Sequence, residues 1–197
     1  MSVTHCALAH EFATSPAQPV AAIVYADKAY PDAAFAALVE LCRNQGLSLA
    51  GVLQHRISSM ADRRCDVVLE DLSTGHRTAL FENRGTGATG CRLDEAALAE
   101  ATARIEGGLD DATDLLVLNK FGKAECGGGG LLDLIASAID REIPVIIGVP
   151  RTNLAAWRDF VGEFSVELSD DTREVAQWMD GLWQRSAGRI AARNVQP

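Results

Sequence analysis

Four polar residues follow a short apolar run in this sequence and are the first candidates for chemistry. The run ends at Leu118, and Asn119, Lys120, Lys123 and Glu125 come directly after it. Lysine ammonium groups attract anions, and a carboxylate such as that of Glu125 can act as a general base. The segment therefore predicts an anion site with Lys120 and Lys123 as its cations.

Four consecutive glycines, Gly127, Gly128, Gly129 and Gly130, come next, just before an apolar helical pattern. Each glycine loses more backbone entropy on folding than any other residue, so a run of four indicates a requirement. Free N–H groups at the start of a helix bind anions. The run is therefore a predicted nest for phosphate or another oxyanion, with Arg92 as a further cation. A flexible or tightly packed loop without a ligand is the alternative.

The turn after the first apolar strand decides whether a triphosphate can be held in the usual way. A phosphate-binding loop reads Gly-x-x-x-x-Gly-Lys-Ser/Thr, which wraps N–H groups round the phosphates and places a hydroxyl on Mg²⁺. The corresponding residues Tyr25–Asp32 contain no glycine, and two aspartates accompany their one lysine, Lys28. Asn119 and Lys120 likewise stand where an acidic pair would bind Mg²⁺ and polarise water. We therefore expect no triphosphate hydrolysis by the usual route.

The histidine and cysteine residues raise the question of a metal. His55, Cys65, Cys91 and Cys126 are the candidate ligands, but they lack the close Cys-x-x-Cys spacing of an established zinc site. The sequence therefore predicts no resident metal and identifies no cofactor. His55 has a second interpretation, as the acid or base partner of Glu125 in an enzyme acting on a phosphorylated substrate.

Strands that alternate with amphipathic helices must position these residues. Strands are predicted at 20–25, 47–54, 65–72, 76–81, 115–119, 145–149 and 164–168, and helices at 32–45, 94–106, 131–141, 154–161 and 172–189. This order is typical of a three-layer α/β fold, a mostly parallel sheet with helices on both faces and one antiparallel hairpin. Because ligands bind at the carboxyl ends of parallel strands, we expect residues 26–31, 54–64, 119–130 and 150–153 to meet at one rim.

Length and charge restrict the class of protein. The 197 residues, 48% of them hydrophobic, suit one globular domain, with residues 1–18 as a flexible tail and 19–197 as the α/β domain. A formal net charge of −9 argues against a nucleic-acid partner. No apolar run is long enough for a membrane span, and the first residues do not form a signal peptide, so we expect a cytoplasmic protein.

Three motifs together resemble a known family. They are Gln54-His55, Gly90–Asp94 and Asn119–Glu125. As a set they look like an uncharacterised bacterial domain family associated with molybdenum-transport proteins, which is in turn similar to the small P-loop nucleoside-triphosphatases. Over residues 20–170 the resemblance implies a P-loop-NTPase-like fold without intact Walker motifs. It also implies a role in molybdate or other metal-oxyanion metabolism.

These observations leave three hypotheses. The leading one is a non-hydrolysing binding or regulatory protein that holds a small anion or a nucleotide. The second is a nucleoside-triphosphatase or phosphohydrolase, and the third is a scaffold for protein interaction. A homo-oligomer and a transporter-associated partner are both compatible with the sequence.

Overall fold

A seven-stranded sheet forms the centre of the molecule in the computed structural model, which describes residues 19–56, 67–79, 81 and 94–193. The strands are β1 (Val20–Tyr25), β2 (Leu49–Arg56), β3 (Val67–Asp71), β4 (Arg77–Ala79), β5 (Leu115–Leu118), β6 (Val145–Pro150) and β7 (Ser165–Leu168). Their order across the sheet is β4-β3-β2-β5-β6-β1-β7. The strands from β2 to β7 in this order pair in parallel, while β3 pairs antiparallel with both β2 and β4. The predicted fold class, including its hairpin, is confirmed.

Helices cover both faces of the sheet. They are α1 (Asp32–Asn44), α2 (Glu95–Gly108), α3 (Lys123–Cys126), α4 (Leu132–Asp140), α5 (Leu154–Val161) and α6 (Thr172–Arg193). The side chains of α1 and α6 pack on one face, and those of α2, α4 and α5 pack on the other. With an apolar cluster on each of its faces, the sheet lies between two layers of helices, as predicted.

The parallel strands are apolar along their whole length because both of their faces are covered. All four residues of β5 are fully buried, and the six residues of β6 are buried as well. The buried core of the sheet includes Ile23, Val52, Val117, Ile146 and Val149.

β2 begins two residues later than predicted, because Leu47 and Ser48 make other hydrogen bonds. Gly46 adopts a positive φ of 73°, and the Leu47 N–H donates to the Cys42 carbonyl at 3.0 Å. The Ser48 N–H then donates to an Asp114 carboxylate oxygen at 2.8 Å. The strand therefore begins at Leu49.

Two further predictions concern a flexible tail at residues 1–18 and the absence of a membrane span. The predicted flexible tail, residues 1–18, lies outside the described residues. In the ranges that the structure describes, none of the helices combines the length and the hydropathy that a membrane span requires.

Candidate anion-binding site

A crevice opens where two neighbouring strands send their helices to opposite faces of the sheet. β1 leads into α1, whose Phe35 packs on one face, whereas β6 leads into α5, whose Trp157 packs on the other. Because the two connections diverge, the carboxyl ends of β1 and β6 leave room between them. This is the place where α/β sheets of this kind bind ligands.

An open cavity of about 490 Å³ lies at this crevice. It is lined by Tyr25, Asp27, Lys28, Tyr30, Gln54, Lys120, Gly122, Lys123, Pro150, Thr152 and Asn153. Each of the four segments predicted to meet at the rim contributes to this lining. We call it the rim cavity.

The rim cavity carries positive charge in an acidic protein. Lys28, Lys120 and Lys123 line it, and all three residues are exposed. No carboxylate of the described residues forms an ion pair with any of them. Asp27 is the one acidic residue among the lining residues that the structure describes. The predicted cations Lys120 and Lys123 are thus brought together, with Lys28 beside them in the same cavity.

Hydrogen bonds between loops fix the rim. The Thr152 hydroxyl donates to Asp27 Oδ1 at 2.9 Å, and the Thr152 N–H approaches the same oxygen at 3.4 Å. The Asn153 side-chain amide donates to the Phe121 carbonyl at 2.8 Å, and the Phe121 N–H donates to the Gly148 carbonyl at 2.8 Å. The turn after β6 is therefore tied to the loops after β1 and β5, which pre-organises the cavity.

Asn119 and Lys120 occupy the end of β5. The Asn119 side-chain amide donates to Gln54 Oε1 at 3.3 Å, and Asn119 is buried while Lys120 is exposed. Mg²⁺ prefers anionic and neutral oxygen ligands, and an adjacent ammonium group repels it. The end of β5 therefore offers an amide and an ammonium group in place of two carboxylates.

Three of the four N–H groups of the glycine run donate to carbonyls of the preceding residues. The Gly127 N–H donates to the carbonyls of Lys123 and Ala124 at 3.1 Å, the Gly128 N–H to Glu125 at 3.1 Å and the Gly129 N–H to Ala124 at 3.0 Å. None of the four glycines is among the residues lining the rim cavity. Anion binding by this run stays a prediction, and it requires these bonds to open first.

Glu125 is a buried link between two helices. Its Oε2 accepts from the Gly122 N–H at 2.7 Å, and its Oε1 accepts from the Leu131 N–H at 3.0 Å. The carboxylate thus caps the start of α3 and joins it to the residue before α4. Both oxygens are already hydrogen-bonded, and the buried residue does not line the rim cavity. This position disfavours the role of general base that the sequence allowed.

The same carboxylate explains Gly130. This residue has a φ of 66°, and a Cβ atom built there would lie 2.1 Å from Glu125 Oε1. A side chain at position 130 would therefore displace a buried carboxylate from its two donors.

We expect Gly130→Ala to lower the free energy of unfolding by about 2 kcal/mol, from its positive φ and the crowded carboxylate. Gly129→Ala is the matched control, because the nearest atom to its added Cβ lies 3.8 Å away and its φ is not positive. Urea denaturation of both variants measures the difference. Equal stability of the two variants would contradict this account of the glycine run.

His55 lies apart from Glu125 and from the rim cavity. Its Nε2 is 3.1 Å from Glu70 Oε2, on the side of the sheet that faces α1. Arg77 donates to the same Glu70 oxygen at 2.8 and 3.1 Å, and Arg43 lies 3.6 Å from the other. The structure therefore does not bring together the acid and base that the enzyme hypothesis needs.

This cluster shifts the pKa of Glu70. Burial raises the pKa, but the Arg77 hydrogen bonds and the charges of His55, Arg77 and Arg43 outweigh burial, so the pKa lies below its usual value. A carboxylate with a lowered folded-state pKa stabilises the fold above its unfolded-state pKa. That contribution disappears as the pH falls through the folded-state pKa.

We therefore expect the thermal midpoint to fall as the pH drops below about 4.3, the ordinary glutamate pKa. Glu70→Gln should be less stable than the wild-type chain near neutral pH and should lose less stability in acid. Asp71, whose pKa is also lowered, should cause part of the loss of stability at low pH in both proteins. Thermal melts across the acid range measure the two profiles, and an equally steep decline in the variant would contradict the role of Glu70.

The candidate metal ligands are only partly covered by the structure. Cys65, Cys91 and the predicted cation Arg92 lie outside the described residues, while Cys126 is an exposed free thiol. Within the described ranges, no group of three or more His, Cys, Asp and Glu side chains is arranged to hold a metal ion.

Sequence reasoning assigned no role to Thr152 and Asn153, although it placed their segment at the rim. Their signal is weak, because short polar residues after a strand are common in turns. It also assigned no role to Lys28, which two aspartates accompany in the sequence. In the structure the Asp27 carboxylate is engaged by Thr152.

Fold and cavity together define an α/β protein of P-loop-NTPase-like architecture. Its basic cavity lies at the crevice between the carboxyl ends of β1 and β6. The chain belongs to the family described as protein of unknown function (DUF2478), which it matches over residues 20–178. It is also 31% identical over 180 residues to the molybdenum import ATP-binding protein ModC 2 of Bradyrhizobium diazoefficiens. This match covers 91% of the chain but only 20% of that relative.

Two solved structures share the fold at low sequence identity. A human cancer-related nucleoside triphosphatase superposes with a TM-score of 0.59 at 11% identity, covering 90% of this chain and 98% of the other. THEP1 from the hyperthermophile Aquifex aeolicus superposes with a TM-score of 0.51 at 12% identity, covering 76% of this chain and 87% of the other. At these identities the likeness establishes the architecture and not the chemistry.

Proposed function

We propose that the chain binds a small anion or a nucleotide in the rim cavity and acts as a non-hydrolysing binding or regulatory protein. The observation that carries this proposal is the charge of the cavity: three lysines against one aspartate, in a chain of net charge −9. A cluster of like charges is maintained against its own repulsion, and a bound anion relieves that repulsion. A cleft with low-dielectric walls also focuses the field on its ligand.

The similar proteins favour phosphate, molybdate or a chemically similar anion as the ligand of the rim cavity. ModC 2 is an ATP-binding protein of molybdenum import, and the human structural neighbour is a nucleoside triphosphatase. ATP, phosphate and molybdate all carry several negative charges on oxygen, which the lysines of the rim would attract. A cytoplasmic role in metal-oxyanion metabolism, with either a second copy or a transporter component as partner, is consistent with this chemistry.

The donor set of the rim argues against Mg²⁺-dependent hydrolysis. The end of β5 offers an amide and an ammonium group, and the Asp27 carboxylate already accepts from Thr152. The β1–α1 turn lacks the glycines that a phosphate-binding loop needs to wrap its ligand. These residues would hold an anion by its charge without activating water against it.

We expect ATP and GTP turnover in the presence of Mg²⁺ to be indistinguishable from the buffer background. Phosphate release over several hours, at micromolar protein, is the measurement. Asp27→Asn is the control, because Asp27 is the one carboxylate lining the described cavity. A Mg²⁺-dependent kcat that this substitution abolishes would overturn the non-hydrolysing part of the proposal.

Native mass spectrometry with elemental analysis of the purified protein tests what the cavity holds. A copurified nucleotide, phosphate or molybdate, lost on dialysis against high salt, would support the proposal. A copurified protein together with no affinity for any of these anions would favour the scaffold hypothesis instead.

A further inference from the structure

Lys28 has a backbone conformation that its residue type disfavours. Its φ is 68°, and Lys28 and Glu142 are the two non-glycine residues with positive φ in the described part of the chain. A side chain with a Cβ atom is strained in this region, whereas glycine adopts it freely. Asparagine and aspartate gain local hydrogen bonds there, but lysine does not. Glycine at position 28 would therefore make the fold more stable than lysine does.

Hydrogen bonds on both sides of Lys28 determine this turn. The Ala29 N–H donates to the Ala26 carbonyl at 3.0 Å, and Asp27 is joined to Thr152 by its carboxylate. The turn is thereby anchored to the connection after β6. Strained residues persist where the surrounding structure over-determines them, and they cluster at ligand sites.

The turn places Lys28 opposite the other two cations of the rim cavity. Lys28 follows β1, whereas Lys120 and Lys123 follow β5, and β6 lies between these two strands in the sheet. The cavity therefore has lysine residues on both sides of β6. A single-sided cluster would attract an anion without fixing its position.

We propose that Lys28 is a ligand-binding residue of the rim cavity and that its strained turn is retained for this purpose, an inference that rests on the proposed anion-binding function. Lys28 then supplies from the β1 side the positive charge that a phosphate-binding loop would have supplied with its own lysine and N–H groups. The missing glycines of the β1–α1 turn are replaced by one cation on a fixed turn.

Replacing Lys28 with glycine tests both parts of the proposal, because strain affects the thermal midpoint and the lost charge affects the affinity for the anion. Lys28→Gly removes both the strain and the charge, so we expect a thermal midpoint equal to or above that of the wild-type chain and an affinity at least about tenfold lower. Lys28→Arg retains the charge and should bind within about threefold of the wild-type chain. Glu142→Gly is the control, because it changes a positive-φ residue that does not line the cavity and should leave affinity unchanged.

Inorganic phosphate, molybdate and ATP are each titrated in turn into the full chain by calorimetry, with Lys120→Ala for comparison. If Lys120→Ala weakens binding while Lys28→Gly binds like the wild-type chain, the role of Lys28 is overturned and the anion site stands. If the wild-type chain binds none of the three probes, both proposals fall. Loss of affinity in Lys28→Gly without loss of thermal stability is the result that we expect.

Discussion

Replacing Lys120 and Lys123 together by alanine is expected to weaken anion binding at least about 100-fold, which corresponds to about 2.7 kcal/mol. Both residues line the rim cavity, and neither forms an ion pair with a carboxylate of the described residues. Their loss would leave Lys28 as the one lysine of the described lining, next to Asp27. The expected effect is therefore larger than that of either single substitution.

Equilibrium dialysis with phosphate, molybdate and ATP measures this loss at low and at moderate salt. Exposed charges are screened over about 10 Å at 0.1 M salt, so the wild-type affinity should fall with salt and the double variant should respond less. Arg104→Ala is a control, since it removes a positive charge that is paired with Glu100 on α2. If this control weakened binding as much as the double variant, net charge and not the cavity would be the cause.

Gly51→Ala is expected to lower the free energy of unfolding by more than about 4 kcal/mol, which is most of the stability of a protein at the lower end of the ordinary range. Gly51 has a φ of 107°, and a Cβ atom there would lie 1.9 Å from the Val117 carbonyl oxygen. Gly51 pairs with Val117 in the central parallel ladder, so the strand cannot move away without breaking the sheet. Backbone atoms, unlike the end of a side chain, have no alternative rotamer.

Gly46→Ala is the matched control for this effect. It also has a positive φ, at 73°, but a Cβ atom there would meet no atom within 4 Å. We expect it to cost about 1–2 kcal/mol from backbone strain alone. Urea denaturation of both variants separates strain from close approach, and a Gly51→Ala protein as stable as Gly46→Ala would show that the strands can separate at this point.

The sheet, its helices and the meeting of the rim segments could be predicted because they depend on local patterns. Continuous apolar runs such as Leu115–Leu118 indicate strands covered on both faces, and alternating strands and helices restrict the topology. The rule that ligands bind at the carboxyl ends of such strands then brings residues 26–31 and 150–153 together without any knowledge of their contacts.

The use of individual side chains could not be predicted in the same way. Glu125 is in a segment whose composition suits an exposed loop, and only the packing of α3 against the start of α4 reveals that its carboxylate is buried between two N–H groups. The direction of the Gly127–Gly129 N–H groups likewise depends on the short helix that precedes them. Sequence periodicity cannot distinguish a four-residue helix from a turn.

The position of His55 follows from the alternation of side chains along β2 once the position of Gln54 is known. Successive side chains of a strand point to opposite faces, so Gln54 and His55 cannot both reach the same side of β2. Gln54 lines the rim cavity, and His55 therefore faces α1 and pairs with Glu70.

Calorimetric titration of the wild-type chain with molybdate, phosphate and ATP, at low salt and without Mg²⁺, tests the central claim most directly. The basic rim cavity predicts saturable binding of at least one of these anions at about one per chain, with an affinity that falls as salt is added. Absence of binding by all three, in a protein shown by its thermal melt to be folded, would contradict the claim.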